Sequence, residues 1–596
     1  MALTRGIARN TQPYRAIRIG QSIGHPVSHM TKVGRWFLFA LLIVAVCATG
    51  VYLSRSSAPA PASVQSGGAL VATVRSEPVT FNRYVRNSFP THMFSLLTQA
   101  PLVKINRRTD EPEPWLASGW TAAPDGKSIT MDLREGVTWS DGAPFDAEDV
   151  VFSVRAATDP AVHGLNGLRV NNQPIAVKAL EPHRVVFTFS APFAPGARIL
   201  DALPIYPRHI LEKALADGTF SNAWGPSTDS RQMPGLGPFV LERYEPGQRI
   251  VLARNRRYWR KDAKGVQLPY LDRLTLEIVP DQNAELLRLT SGQVDVLQNE
   301  LRPEDYRAVK AAADSGRVRL IDVGPGIERE MLWFNLAPAP KGQQPPLVAQ
   351  DGFREAISLA VDRRAFANEV YLGAAEPSAA PVPPSVKEWA TEIDAGRYDA
   401  VRAAARLDEL GIVDRNKDGV REDEGGRPAR FSILVGAGIT GTEKGAQFIR
   451  DSLAKIGVTV DVVPLDINAV MGRWAEGRYD AIYHHILPTD TDPGTNLDWW
   501  LSNGSSHLWH PNQKTPATEW EARIDQLMQR QSTTLDLEER KRLFAEVQKL
   551  FVAHNPAIYF VTQHIYVATS TRVAPIAPGI ERPQILWAAD ELAVAR

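Results

Sequence analysis

Residues 124–153 read PDGKSITMDLREGVTWSDGAPFDAEDVVFS. Within them, 128–133 (SITMDL) alternates apolar and polar residues, the period-two pattern of a half-buried strand. Leu133-Arg134-Glu135-Gly136 then supplies a turn. Ser140-Asp141-Gly142 supplies another, with Gly142 where a φ above zero is easiest for glycine. Asp146-Ala147-Glu148-Asp149 leads into VVFSVRAA, which is an Asp cap with acids in the first turn of a helix. Strand, turns and a capped helix in one short stretch predict mixed α/β structure.

The same mixture extends in both directions. Residues 185–190 (VVFTFS) read as a strand, and 239–244 with 249–253 flank Glu245-Pro246-Gly247 as a hairpin. Residues 353–370, 398–410, 443–456 and 535–554 read as amphipathic helices. Breaks rich in Pro or Gly fall near 226–238, 337–346 and 377–384, and there is neither an internal repeat nor a coiled coil. A chain of 596 residues is too long for one ordinary core. Its net charge of +0 supplies no global basic field of the kind nucleic-acid binding uses.

The compartment is read from residues 36–53, WFLFALLIVAVCATGVYL, an uncharged run at the short end of a membrane span. Residues 1–35 carry Arg5, Arg9, Arg15, Arg18, Lys32 and Arg35 and no acid, which places the N-terminus in the cytoplasm and the bulk outside. Residues 54–68 (SRSSAPAPASVQSGG) read as a flexible spacer. Cleavage near 58–62 would free the protein, whereas an uncut run would anchor it. Met30 is an alternative start that would give a compact basic leader. The only cysteine, Cys47, follows the bulky Val46, which argues against lipidation and leaves no disulfide.

Five ordered pieces resemble the dipeptide, oligopeptide and nickel solute-binding proteins of ATP-driven importers, extracellular solute-binding family 5. The first is the opening stretch, with Trp139-Ser140-Asp141-Gly142 and Pro144. Next come Gly235-Leu236-Gly237-Pro238-Phe239 with Arg254-Asn255 and Tyr258-Trp259, then Pro269-Tyr270-Leu271-Asp272 with Gly292 and Asp295. Trp333-Phe334-Asn335 with Phe353, Arg354, Ala356 and Asp362-Arg363 follows, and last Arg478-Tyr479-Asp480 leading to Asp492-Pro493. These motifs read as structural. Gly235 and Gly237, for instance, are expected to let the backbone bend at a lobe junction.

The resemblance implies an α/β, two-lobed periplasmic-binding-protein fold of type II. Lobe I would span 69–330 with an inserted subdomain over about 111–228, lobe II 331–553, and 554–596 would return to lobe I. Solute is then enclosed by hinge closure, and the closed form docks on the membrane subunits of a permease. The expected solute is a peptide or peptide-like molecule held through its backbone. An oligosaccharide, an opine, a metal chelate, or a membrane-anchored sensor or chaperone role are the alternatives. The protein is expected to be a monomer, without a cofactor, and not an enzyme.

Candidate ligand contacts come from the segments that face the cleft in this family. They are Arg86 and Asn87 after the first strand, Trp333 and Asn335, His485, Thr489 and Asp490, and Trp499 and Trp500. Peptide binders of the family often place an Asp where this chain has Thr489, with Asp490 next to it. Two other motifs lack the residues their chemistry needs. Asp414-Arg415-Asn416-Lys417-Asp418-Gly419 opens like a calcium loop, but the twelfth position is Gly425 and not the bidentate Glu. A turn is the simpler reading, with Glu422, Asp423 or Glu424 left to close a looser site. His484 and His485 are adjacent, so on a strand they should point to opposite faces and not chelate one ion.

Overall fold

In a computed structural model, the described residues are 66–86, 88–162, 168–170, 173–339, 341–393, 397–486 and 490–595. The apolar segment 36–53, together with Asn87 and Thr489, lies outside them. Among the described residues no helix is long and apolar enough to cross a membrane.

The opening stretch folds as its pattern predicts. Ser128–Leu133 is a strand with Ile129, Met131 and Leu133 buried, and Ala147–Thr158 is a helix. Asp146 caps that helix, and Asp149 answers back to the cap in a capping box. Asp149 also accepts from Trp139 Nε1 (3.2 Å) and from the Arg208 amide (2.9 Å). One carboxylate thus ties the turn, the helix start and a distant loop together.

Two sheets share the first core. One runs Ala69–Val74, Arg273–Ile278, Arg249–Arg254, Phe239–Glu245, its first pair parallel and the others antiparallel. The other is antiparallel, in the order Ala117–Ala122, Ser128–Leu133, Arg184–Thr188, Ala176–Glu181. Leu70, Leu274, Ile129 and Phe187 belong to one buried cluster that joins them.

The second lobe is built on five strands ordered Thr459–Leu465, Arg430–Gly436, Ala481–Ile486, Arg329–Phe334, Ala557–Tyr559. Both of its faces are covered. Leu332, Phe334, Ile433 and Val435 enter one core, and Met331, Trp333 and Leu434 enter the other. Alternation along each strand feeds both cores at once. The chain enters this sheet after Val318–Pro325 and leaves it from Ala557–Tyr559 into Val561–Ser570, which pairs with Val318–Pro325 and bridges to Val296.

Several motif residues prove to be fasteners. Asp295 accepts from the Val71 amide (2.9 Å) and from Ser570 Oγ (2.6 Å), so it joins the first and last strands. Arg354, almost wholly buried, donates to the last carbonyls of helix Leu537–His554 at His554 and Asn555. Gly235 and Gly237 differ from expectation. Neither has a left-handed φ. A Cβ on Gly235 would lie 1.9 Å from the Thr98 carbonyl oxygen, and one on Gly237 2.5 Å from the Thr98 carbonyl carbon. Their constraint is therefore close packing on the end of helix Phe89–Thr98, not a bend. The helix expected over 353–370 is two, Asp351–Ala360 and Arg363–Val370, because Asp362 accepts from the Arg364 and Ala365 amides and caps a new start.

Candidate functional site

Between the lobes lies a cavity of about 1120 Å³. Lobe I contributes Phe193, Arg198 and Asp201, and lobe II contributes Arg329, Met331, Asp490, Trp499, Trp500 and Tyr559. The size is just above the range of about 300–1,000 Å³ usual for small-molecule sites.

A polar latch closes one side. Arg198 Nε donates to Asp490 Oδ1 (3.0 Å), while its Nη groups donate to the Asp110 carbonyl (2.6 Å), Asp110 Oδ1 (2.7 Å) and Thr491 Oγ1 (3.0 Å). Thr491 Oγ1 donates in turn to Asp110 Oδ2 (2.5 Å). Nearby, the Ala194 amide donates to the Ser532 carbonyl (2.8 Å). Burial pushes the Asp490 carboxyl up to about 6 even though Arg198 opposes it. Burial also works against the Arg198 charge, but Asp490 and Asp110 outweigh it and hold that pKa above its ordinary value.

Lobe II supplies a second cation. Arg329 lies 4.2 Å over the Tyr559 ring and donates to the Ala380 carbonyl (2.5 Å), to Ser378 Oγ (3.2 Å) and to the Pro381 carbonyl. Among the described residues no carboxylate pairs with it, and burial brings it down to about 10.

A third group of charges gathers near His485. Arg582 pairs with Glu300 and, at 3.2 Å, with Glu328. Burial pushes Glu328 up to about 7, although Arg582 opposes the shift. Glu581 is also pushed up to about 7, by burial against the pull of Arg107. Burial, reinforced by His484 and Arg582, brings His485 down to about 4.

The sequence candidates divide. Asp490, Trp499 and Trp500 line the cavity, with the two indoles 4.3 Å apart at 78°. Trp333 is wholly buried in the second lobe's core. Asn335 donates to the Gly477 (2.8 Å) and Tyr479 (3.0 Å) carbonyls, so it braces the loop before Asp480. Arg86 is exposed. His484 and His485 differ from expectation: their rings lie 4.4 Å apart, although both are paired within the strand Ala481–Ile486, His484 with Met331 and His485 with Glu330. Residues that composition and motif could not single out are Arg198, Arg329, Glu328, Glu581 and Arg582. None sits in a recognisable motif, and their partners come from distant parts of the chain. Asp414, Asp418 and Glu422 do bring carboxylate oxygens within 4.8 Å of one another. Those oxygens already accept from the Lys417, Gly419, Val420 and Arg415 amides, as a turn requires.

Two α/β lobes joined by crossing strands around an interlobe cavity define a type II periplasmic binding protein. The model for bacterial extracellular solute-binding proteins, family 5, matches residues 111–507, and the chain belongs to that family. It is 25% identical over 565 residues to the "Probable ABC transporter-binding protein" of Deinococcus radiodurans, covering 91% of this chain and 94% of that one. It is 27% identical over 508 residues to the nickel-binding periplasmic protein of Escherichia coli, covering 83% and 90%. The oligopeptide-binding protein AppA of Bacillus subtilis, solved with a nonapeptide, shares the fold with a TM-score of 0.67 at 21% identity, over 89% of this chain and all of that one.

Proposed function

We propose that this protein captures a peptide or peptide-like solute outside the cytoplasmic membrane and delivers it to the permease of an ABC importer. The observation that carries this reading is the cavity of about 1120 Å³ between the lobes, closed on one side by the Arg198–Asp490 latch. Closure over solute and a latch that joins the lobes together make a docking-competent state that solute favours. AppA, which shares the fold, was solved in complex with a nonapeptide. Segment 36–53 would export the chain or hold it at the outer face of the membrane, where it acts as a monomer. In this reading lobe I spans 69–328 with the inserted sheet within about 111–228, lobe II spans 329–559 and 560–596 closes lobe I; the expected bounds at 331 and 553 shift because the strands Arg329–Phe334 and Ala557–Tyr559 belong to the second lobe's sheet.

Asp490 is committed to Arg198, so it is not free to meet a peptide amine. Arg329, Trp499 and Trp500 are the contacts favoured here, one a fixed cation and two large flat faces. Mass spectrometry of solute released from the purified full chain tests the proposal. Peptides should be recovered; a sugar or metal chelate with no peptide would overturn the solute class while leaving capture intact.

A further inference from the structure

Arg329 opens the strand Arg329–Phe334, and Met331, two residues on, projects from the same face. That face belongs to the wall of the interlobe cavity, where Val386, Trp500, Phe544 and Tyr559 join Met331 in one apolar cluster. Arg329 lines the cavity although it is only 6% exposed. Its bonds to Ser378 Oγ and to the Ala380 and Pro381 carbonyls use both Nη1 hydrogens and one on Nη2. Nε–H and the second Nη2 hydrogen have no acceptor among the described residues.

Its charge is also uncompensated. The acids on the cavity wall are Asp201, Asp490 and Asp498. Asp490 accepts from Arg198 (3.0 Å), Asp201 from the Ile105 amide (2.9 Å) and Asp498 from Ser505 Oγ (3.2 Å). The chain neighbours are committed too: Glu328 pairs with Arg582 (3.2 Å), and Glu330 accepts from Tyr371 (2.5 Å) and Tyr483 (2.7 Å). Only the Tyr559 phenol acts on the Arg329 charge, and burial holds that phenol above its ordinary value, so it is neutral at pH 7. Arg363 is likewise served by neutral oxygens, at Ser358 and the Tyr559 carbonyl, but it does not line the cavity. Position, and not burial alone, sets Arg329 apart. A buried cation without a counter-ion is costly, and Nε with Nη2 forms the edge of a guanidinium that grips a carboxylate with two parallel bonds.

We propose that Arg329 binds a carboxylate of the solute, whose apolar body lies on the wall of Met331, Trp500 and Phe544. This rests on the reading of the cavity as a solute site and narrows the solute to apolar acids. The test is native mass spectrometry of the full chain with a random tripeptide library, once as free acids and once as C-terminal amides. Wild type should retain the acids at least about tenfold better than the amides, and Arg329→Gln should bring that ratio to about one. Arg329→Lys should restore part of the preference. The readout is a ratio within each variant, so a general loss of stability does not mimic it. Amides retained only when they carry an acidic side chain, and lost in Arg329→Gln, assign a side-chain carboxylate in place of a terminal one. Acids and amides held equally whatever their side chains, or a preference unchanged in Arg329→Gln, would overturn the proposal and leave peptide capture standing. If neither library binds, the peptide reading fails, and calorimetry of phenylpropionate against phenylpropionamide decides. Binding of the acid alone, lost in Arg329→Gln, keeps the carboxylate site; any other result removes it.

Discussion

The segment around Trp139 and the segment around Asp490 are both short turns that follow a strand, yet they use their polar groups differently. In the first, Trp139, Asp146 and Asp149 satisfy one another within a few residues, and Ser140 exchanges bonds with Gly235 of the same lobe. In the second, Asp490 and Thr491 find Arg198 and Asp110 on the other lobe, hundreds of residues away. Local satisfaction fixes a fold once and for all. Satisfaction across a hinge can be undone and remade, and that is what a capture protein needs.

The largest expected effect breaks the fold side of this comparison. Trp333 fills the core of the second lobe with no exposure, so Trp333→Ala should cost about 3–5 kcal/mol in denaturant unfolding. Trp499 is half-buried at the edge of the cavity, and Trp499→Ala should cost only about 1–2 kcal/mol. Solute affinity should nevertheless fall by about tenfold or more. Equal stability losses, with affinity untouched, would make Trp499 a core residue like Trp333.

The contrast also explains what could be read in advance. Alternation in 128–133, the Asp146 cap and the hairpin at Gly247 are short-range rules, and each appears in the fold where its pattern lies. Trp333 obeys the same rule: its neighbours alternate between two cores, so a tryptophan in an apolar run is core before it is ligand contact. Gly235 and Gly237 were legible as glycines, but their reason, the Thr98 carbonyl, belongs to another element. Asp490 stood out beside Asp492-Pro493, whereas its partner Arg198 sits in a 3-10 turn with no sequence mark. Arg329 and Glu581 were invisible for the same reason, since burial and distant charges give them their character.

A medium effect tests the latch by pH. The Asp490 carboxyl is raised to about 6 by burial, from an ordinary value near 3.8. A carboxyl raised in the folded form stabilises that form below about pH 4, and the contribution is lost as pH rises through about 6. Chemical denaturation should therefore find the protein more stable at pH 5 than at pH 7.5, with Asp490 supplying up to about 3 kcal/mol across its whole window. Glu328 and Glu581, both raised to about 7, act in the same direction. Asp490→Asn should flatten part of this slope. An unchanged slope in the variant would show that Arg198 fully offsets the burial of Asp490.

The smallest effect is the sharpest probe of the comparison. Thr491→Val keeps the shape of the side chain and removes only a hydroxyl that donates to Asp110 and accepts from Arg198. It should weaken the closed arrangement by about 1 kcal/mol, or roughly fivefold in solute affinity, with little change in unfolding midpoint. A double-mutant cycle with Asp110→Ala isolates the pair, because each single change removes the hydroxyl–carboxylate contact from one of the two lobes. A coupling near zero would mean that the lobes meet there without holding each other, leaving the Arg198–Asp490 ion pair to hold the cleft shut. A coupling near the full 1 kcal/mol would show that the hydroxyl works across the hinge, as Ser140 works within its own lobe.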